Sequence, residues 1–168
     1  MKTLPLPSQA RLKELLDYDP LTGGLVWRVR RYRSKIQKGE PAGCWSTRDK
    51  YLKIRIDGKL FLAHRLIWKW QTNEDPSTKE VDHKDRDRTN NCWVNLRLVE
   101  HSQNMMNASG HSKLGLPKGV HKKRTRFGAQ IMWNRSRRYL GTFDTPEEAH
   151  QAYCKAADQL HGEFACLA

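Results

Sequence analysis

The sequence has no apolar run of about 18 residues, the length a membrane-spanning helix requires. Its opening stretch, MKTLPLPSQARLKELL, has no secretory apolar core, because Pro5, Pro7 and then charged side chains interrupt it. A membrane partner is not expected, and the chain reads as cytoplasmic. Cysteine is scarce: Cys44, Cys92, Cys154 and Cys166 lie far apart with no C-x-x-C pair. That spacing argues against a structural zinc site and, in a reducing compartment, for free thiols. Acidic residues are few, 18 against 31 Lys and Arg, giving a net charge of +13. Such an excess says nothing about fold, but it is the electrostatic footprint of a polyanionic partner. Apolar content is also low, 38% of 168 residues, so the chain is one domain or two small ones with modest cores. Neither a heptad pattern nor a spare apolar stripe marks an oligomer, so a monomer without an obligate protein partner is expected.

Secondary-structure signals come in short pieces. Ser8 caps a predicted helix over Gln9–Leu16, with Leu12, Leu15 and Leu16 on one face. After a Thr22-Gly23-Gly24 turn, Leu25–Arg30 alternates, with Leu25, Trp27 and Val29 inward and Arg28 and Arg30 outward. Tyr51–Ile56 alternates in the same way, and Asp57-Gly58 is a two-residue hairpin signal before a return strand over Lys59–Ala63. Leu25 to Ala63 thus reads as one small antiparallel sheet with an apolar and a basic face. Arg28, Arg30, Lys53 and Arg55 on the basic face are either solvated charge or groove contacts to DNA. His64–Gln71 reads as a helix with His64 in a structural role.

Chemistry concentrates between Val81 and Asn104, VDHKDRDRTNNCWVNLRLVEHSQN. An Asp-His pair, Asp82 and His83, precedes a loop rich in Arg, Asp and Asn. The alternating segment Val94–Val99 follows, and then a helix start at His101-Ser102-Gln103-Asn104. The string resembles the HNH (ββα-metal) nuclease motif in its H-N-N variant. Hydrolysing a phosphodiester requires a base for water and a cation for the charge on phosphate and leaving oxygen. Histidine suits the first task because its pKa lies near neutrality. The resemblance implies His83 as general base, Asp82 and Asn104 as metal ligands, and Asn95 as the residue that ties the loop down. It implies one Mg2+ (or Mn2+) per site and no zinc. Arg86 and Arg88 in the loop are either solvated charge or grips on phosphates flanking the cut. Asp85 and Asp87 are expected to cap or pair within the loop rather than bind metal.

Residues 111–118, HSKLGLPK, read as a linker, and Gly119 to Ala165 forms a second module. It contains Gly128-Ala129-Gln130-Ile131, Tyr139-Leu140-Gly141-Thr142-Phe143, Thr145-Pro146-Glu147-Glu148-Ala149 and His161-Gly162. This resembles the APETALA-two-type DNA-binding domain of plant ethylene-response factors, also carried by phage and bacterial HNH nucleases. Independently, Thr145-Pro146-Glu147-Glu148 is a capping box with Pro at the first helical position. Ser112 to Phe143 holds nine Lys or Arg and no acid, whereas Asp144 to Ala168 holds one Lys and five acids. The sheet half is therefore basic and the helix half acidic. The resemblance places DNA against Gln130, Met132, Arg137 and Tyr139, with Lys123, Arg124 and Arg126 on phosphates in or near the first turn. Trp133 is assigned to packing, since it shares parity with Ala129 and Ile131.

The expected class is α+β: a small N-terminal antiparallel sheet, a ββα-metal motif, and a C-terminal three-stranded sheet packed on one helix. Expected boundaries are 1–110 for the first sheet and nuclease motif, 111–118 for the linker and 119–168 for the second domain. The leading expectation is a homing-type endonuclease acting on double-stranded DNA, in the host cytoplasm if phage-encoded. The alternatives are a non-catalytic DNA-binding regulator with an inactive nuclease fold and an RNA-binding protein. The sequence has no aromatic signature of the common single-strand RNA readers.

Overall fold

A computed structural model describes residues 4–30, 35–107, 115–133 and 136–165. Residues 31–34 and the first half of the expected linker, 111–114, lie outside the described residues. The chain forms two compact units, Met1–His101 and Ser102–Ala168.

The first unit opens with α1 (Gln9–Leu15), whose N-terminus is closed by the Ser8 hydroxyl accepting from the Arg11 amide at 3.2 Å. Leu16 leaves the helix and starts β1 (Leu16–Tyr18), which pairs antiparallel with β2 (Leu25–Trp27). β2 is shorter than expected, and Val29 is exposed. The strands β3 (Cys44–Trp45), β4 (Leu52–Ile56) and β5 (Lys59–Leu62) form a separate sheet in that order. The expectation of one sheet from Leu25 to Ala63 is therefore wrong, because both edges of β2 are already taken. β1 occupies one. On the other, the Trp27 amide donates to Glu40 O at 2.9 Å and the Ala42 amide to Leu25 O at 2.8 Å. The core draws on α1, β1, β2, β4 and β5: Leu12, Leu16, Ile54 and Ile56 are fully buried. Leu66 and Ile67 join them from α2 (Ala63–Thr72), which ends on Asn73 in the left-handed conformation. The motif ribbon, β6 (Glu80–His83) against β7 (Leu96–Val99), adds Val81 and Leu96 to the same core.

α3 (His101–Asn107) begins at the last residue of the first unit. The second unit is a three-stranded sheet of β8 (Val120–Lys123), β9 (Arg126–Trp133) and β10 (Ser136–Phe143), with β9 central, packed on α4 (Pro146–His161). Ala129 and Ile131 on β9 are buried against Ala149, Tyr153 and Ala157 of α4. Small residues on the helix let it lie close to the sheet. Gly119 follows the same logic, since a Cβ there would meet the Tyr153 ring at 2.0 Å. Its φ of +82° is also one that other residues rarely adopt.

Thr145 closes α4 with a reciprocal capping box: its hydroxyl accepts from the Glu148 amide at 3.2 Å, and the Glu148 carboxylate accepts from the Thr145 amide at 3.4 Å. Replacing Thr145 with Ala is expected to destabilise the second unit by about 1 kcal/mol. Thermal or denaturant unfolding monitored in that unit would measure it.

Candidate active site

The β6–β7 ribbon sets the frame. Asp82 and Arg97 are direct cross-strand partners, so their side chains share one face. Arg97 Nε donates to Asp82 Oδ2 at 3.0 Å, and both side chains are about nine-tenths buried. The neighbouring His83 leaves the strand on the other face, because successive side chains alternate.

Between the two strands the loop 84–95 is held by its own side chains. Asn95 acts as its clasp: Nδ2 donates to Asp85 Oδ1 at 2.9 Å and to Asn90 O at 2.8 Å, while Oδ1 accepts from the Asp85 amide at 3.1 Å. Its carbonyl accepts from the Lys84 amide at 2.9 Å. Asp85 also takes Asn90 Nδ2 on its second oxygen at 2.7 Å. Asp87 accepts from both the amide and the hydroxyl of Thr89, which holds its pKa below the usual carboxylate range. Both carboxylates are thus spent on loop geometry. Among the described residues, no three His, Cys, Asp or Glu side chains come together as a metal-binding group.

His83 is 3% exposed. Its ring faces His64 of α2 edge-on, centroids 5.1 Å apart, and Tyr51 at 6.2 Å. Its Nε2 lies 3.2 Å from Asn91 Oδ1. Burial lowers the His83 pKa, partly opposed by the Asn91 hydrogen bond and the nearby Asp82, Asp85 and Asp87. The imidazole is therefore neutral near pH 7, the state a general base requires. Arg88 lies over the outer face of Tyr51, its guanidinium carbon 4.7 Å from the ring centre, and donates to Asp49 O at 2.8 Å. That anchoring holds an exposed positive charge beside the histidine cluster. Arg86 has a left-handed backbone, φ 67°, with its amide on His83 O at 3.0 Å. Asn104 lies on α3, half-buried.

Of the basic face expected on the first sheet, Lys53 and Arg55 share the outward side of β4. Lys53 is ion-paired with Asp49, whose carboxyl is held well below its ordinary range by that contact. Arg28 and Arg30 do not belong to this face: both follow β2, and Arg28 donates to Lys13 O at 3.0 Å. In the second unit, Tyr139 pairs directly with Gln130, and Arg137 with Met132. The four residues therefore form one patch on the sheet face turned away from α4, with Met132 and Tyr139 about half exposed. Lys123 lies over the Tyr139 ring at 5.3 Å. Arg124 holds the β8–β9 turn with φ 54°, and Arg126 is ion-paired with Asp144 at 2.7 Å. Trp133 stacks on His161 at the end of α4, away from that patch.

No local pattern in the sequence marks Asn91 or Tyr51 as part of this site, and Arg97 is marked only through its partner. Only the Asp82–Arg97 pair had a legible signal, since opposite charges on two alternating segments fall opposite each other once the register is known.

Residues 61–106 match the family model for HNH endonuclease, so this segment carries an HNH endonuclease domain. Over 91 residues the chain is 37% identical to an uncharacterized HNH endonuclease of Acanthamoeba polyphaga mimivirus, which covers 54% of this chain and 47% of that protein. The chain thus spans about half the length of the curated relative it matches. A solved structure of the HNH homing endonuclease I-HmuI, described as binding and cleaving DNA, is 26% identical, with a TM-score of 0.41 over 55% of this chain and 51% of that one. No helix among the described residues is long and apolar enough to cross a membrane.

His64 carries a prediction about acid stability. Burial, reinforced by His83, pushes its pKa down to about 3. An unfolded chain takes up this proton below about pH 6.5, whereas the folded state refuses it. The folded-state pKa is depressed, so the His64 contribution is complete above pH 6.5 and is lost as pH falls towards 3. Urea unfolding of the first unit should weaken by up to about 1.4 kcal/mol per pH unit over this range, and His64→Gln should flatten that slope.

Proposed function

We propose that the chain is a metal-dependent endonuclease that hydrolyses phosphodiester bonds of double-stranded DNA, with His83 as general base. The observation that carries the reading is the state of His83. It lies inside the matched HNH segment, at the end of β6, buried, neutral and hydrogen-bonded, with the anchored Arg88 nearby.

Asp82 and Asn104 would hold one divalent cation, Mg2+ or Mn2+. One carboxylate and one amide oxygen fit a hard ion that keeps most of its waters, and the Arg97 contact keeps the Asp82 carboxylate fixed in place. When bound, the cation supplies charge neutralisation at the phosphate and the departing 3′-oxygen. The chain's own residues do the rest. His83 takes a proton from water, Asn95 keeps the loop and the histidine backbone in place, and Arg86 and Arg88 contact phosphates beside the cut. The domain division in this reading is 1–110 for the nuclease, 111–118 for a linker, and 119–168 for an APETALA-two-type DNA-binding domain. In that domain Gln130, Met132, Arg137 and Tyr139 face DNA, and Lys123, Arg124 and Arg126 bind phosphates. Lys53 and Arg55 form the first unit's own basic patch. A monomer acting at one strand at a time completes the reading.

Two measurements test it. Supercoiled DNA incubated with the protein should be nicked or linearised in Mg2+ and left intact in EDTA. His83→Ala should lower the cleavage rate by roughly 10^2- to 10^4-fold while keeping DNA affinity within about twofold. Binding without any cutting would instead assign the chain to non-catalytic DNA regulation. For the second unit, Lys123→Ala and Arg137→Ala should each weaken binding across sequences and reduce the salt slope by about 1. An unchanged slope would remove this sheet face from the interface.

A further inference from the structure

Asn91, which no motif assigns, is hydrogen-bonded to the buried imidazole. Asn91 is 3% exposed, and its Oδ1 lies 3.2 Å from His83 Nε2. An amide oxygen only accepts, so Nε2 must carry the hydrogen. The orientation of the amide is set from its other end, where Nδ2 points at Thr89 O at 3.5 Å. A neutral imidazole with its proton on Nε2 has its basic lone pair on Nδ1.

The Asn91 backbone is itself held by the N-terminal hairpin. Tyr18 Oη donates to Asn91 O at 2.8 Å in a buried contact. The Trp93 amide donates to Pro20 O at 3.0 Å, and the Cys92 thiol to Leu21 O at 2.9 Å. Gly23, with φ +74°, presses on the same segment so closely that a Cβ would meet the Asn91 carbonyl carbon at 2.5 Å. The β1–β2 turn is thus seated on residues 91–93 by three hydrogen bonds and one backbone contact. An amide so fixed presents its oxygen to His83 at little entropic cost.

We propose that Asn91 is the positioning residue for His83, selecting the tautomer protonated at Nε2 and leaving Nδ1 as the base, with the β1–β2 hairpin as its support. This rests on the nuclease reading. Water gives a proton to Nδ1 as its oxygen bonds to phosphorus, and the leaving oxygen departs with the electron pair of the broken P–O bond. The imidazolium that results keeps its Nε2–H on Asn91 Oδ1, and the amide dipole stabilises the new charge.

The test uses the full chain with 15N-labelled histidine, the His83 signals being identified by their loss in His83→Gln. Imidazole nitrogen shifts above neutral pH should report hydrogen on Nε2. Asn91→Leu, which cannot accept, should lose that preference and lower kcat for plasmid cleavage roughly 10- to 1,000-fold, with DNA affinity unchanged. Asn91→Asp, which restores an acceptor oxygen, should recover both the tautomer and most of kcat. A purely structural role would instead move the unfolding midpoint of both variants together and leave the tautomer alone. Hydrogen on Nδ1 in the unaltered protein overturns the proposal even if Asn91→Leu fails to fold, and it leaves the nuclease reading standing. A folded Asn91→Leu with full kcat overturns it as well. If the unaltered protein cuts no DNA, the nuclease reading falls and Asn91's positioning role in catalysis with it. The tautomer measurement still reports the hydrogen bond, so the two failures are distinguishable.

Discussion

An imidazole taken out of water loses the solvent that would stabilise its charged form, and its polar atoms must find partners inside the protein. Much of the first unit's arrangement around the HNH segment follows from that constraint on His83. Tyr51 and His64 supply ring surface, and Asn91 supplies an acceptor. Two histidines 5.1 Å apart in a dry environment also oppose each other's protonation, since a second positive charge at that distance is costly. The same burial that makes His83 available as a base at neutral pH makes the cluster sensitive to acid.

Supporting parts sit far from the motif in sequence. The loop 84–95 is closed internally by Asn95 and Asp85, and its far end is closed externally by the hairpin of residues 16–27. Short strands of three or four residues are marginal on their own. Here they are stabilised because Leu12, Leu16, Trp27, Ile54, Leu66 and Leu96 share one core. The N-terminal segment therefore contributes to the site through position, with no reactive group of its own.

Charge in the second unit is sorted by layer. Its strands carry the basic residues, whereas α4 starts with Glu147 and Glu148 beside its positive end and turns Ala149, Tyr153 and Ala157 to the sheet. That leaves the opposite sheet face free of packing duty, and there Gln130, Met132, Arg137 and Tyr139 meet as two adjacent cross-strand pairs. Arg126 is partly neutralised by Asp144, so the net field of this face falls short of its residue count.

Local signals in the sequence determined most of the elements. The Ser8 cap, the Asp57-Gly58 hairpin, the Thr145 capping box and the alternation of β4 and β9 are properties of neighbouring residues and need no distant partner. The HNH segment was legible for the same reason, since its Asp-His pair and following Asn residues lie within one short stretch matched by the family model. What the tertiary structure alone decided is the pairing of surfaces distant in the chain. Leu25–Arg30 reads from sequence as part of the β4–β5 sheet because alternation gives a strand's faces but not its edges, and here β1 and residues 39–42 occupy both. Asn91 looked like one polar loop residue among several. Its contact with His83, and the seat of the β1–β2 turn on its backbone, exist only once residues 73 positions apart are brought into hydrogen-bond reach, as Tyr18 and Asn91 are. Hydrogen bonding is directional and short-ranged, so which amide reaches the histidine is fixed by packing and not by the order of letters.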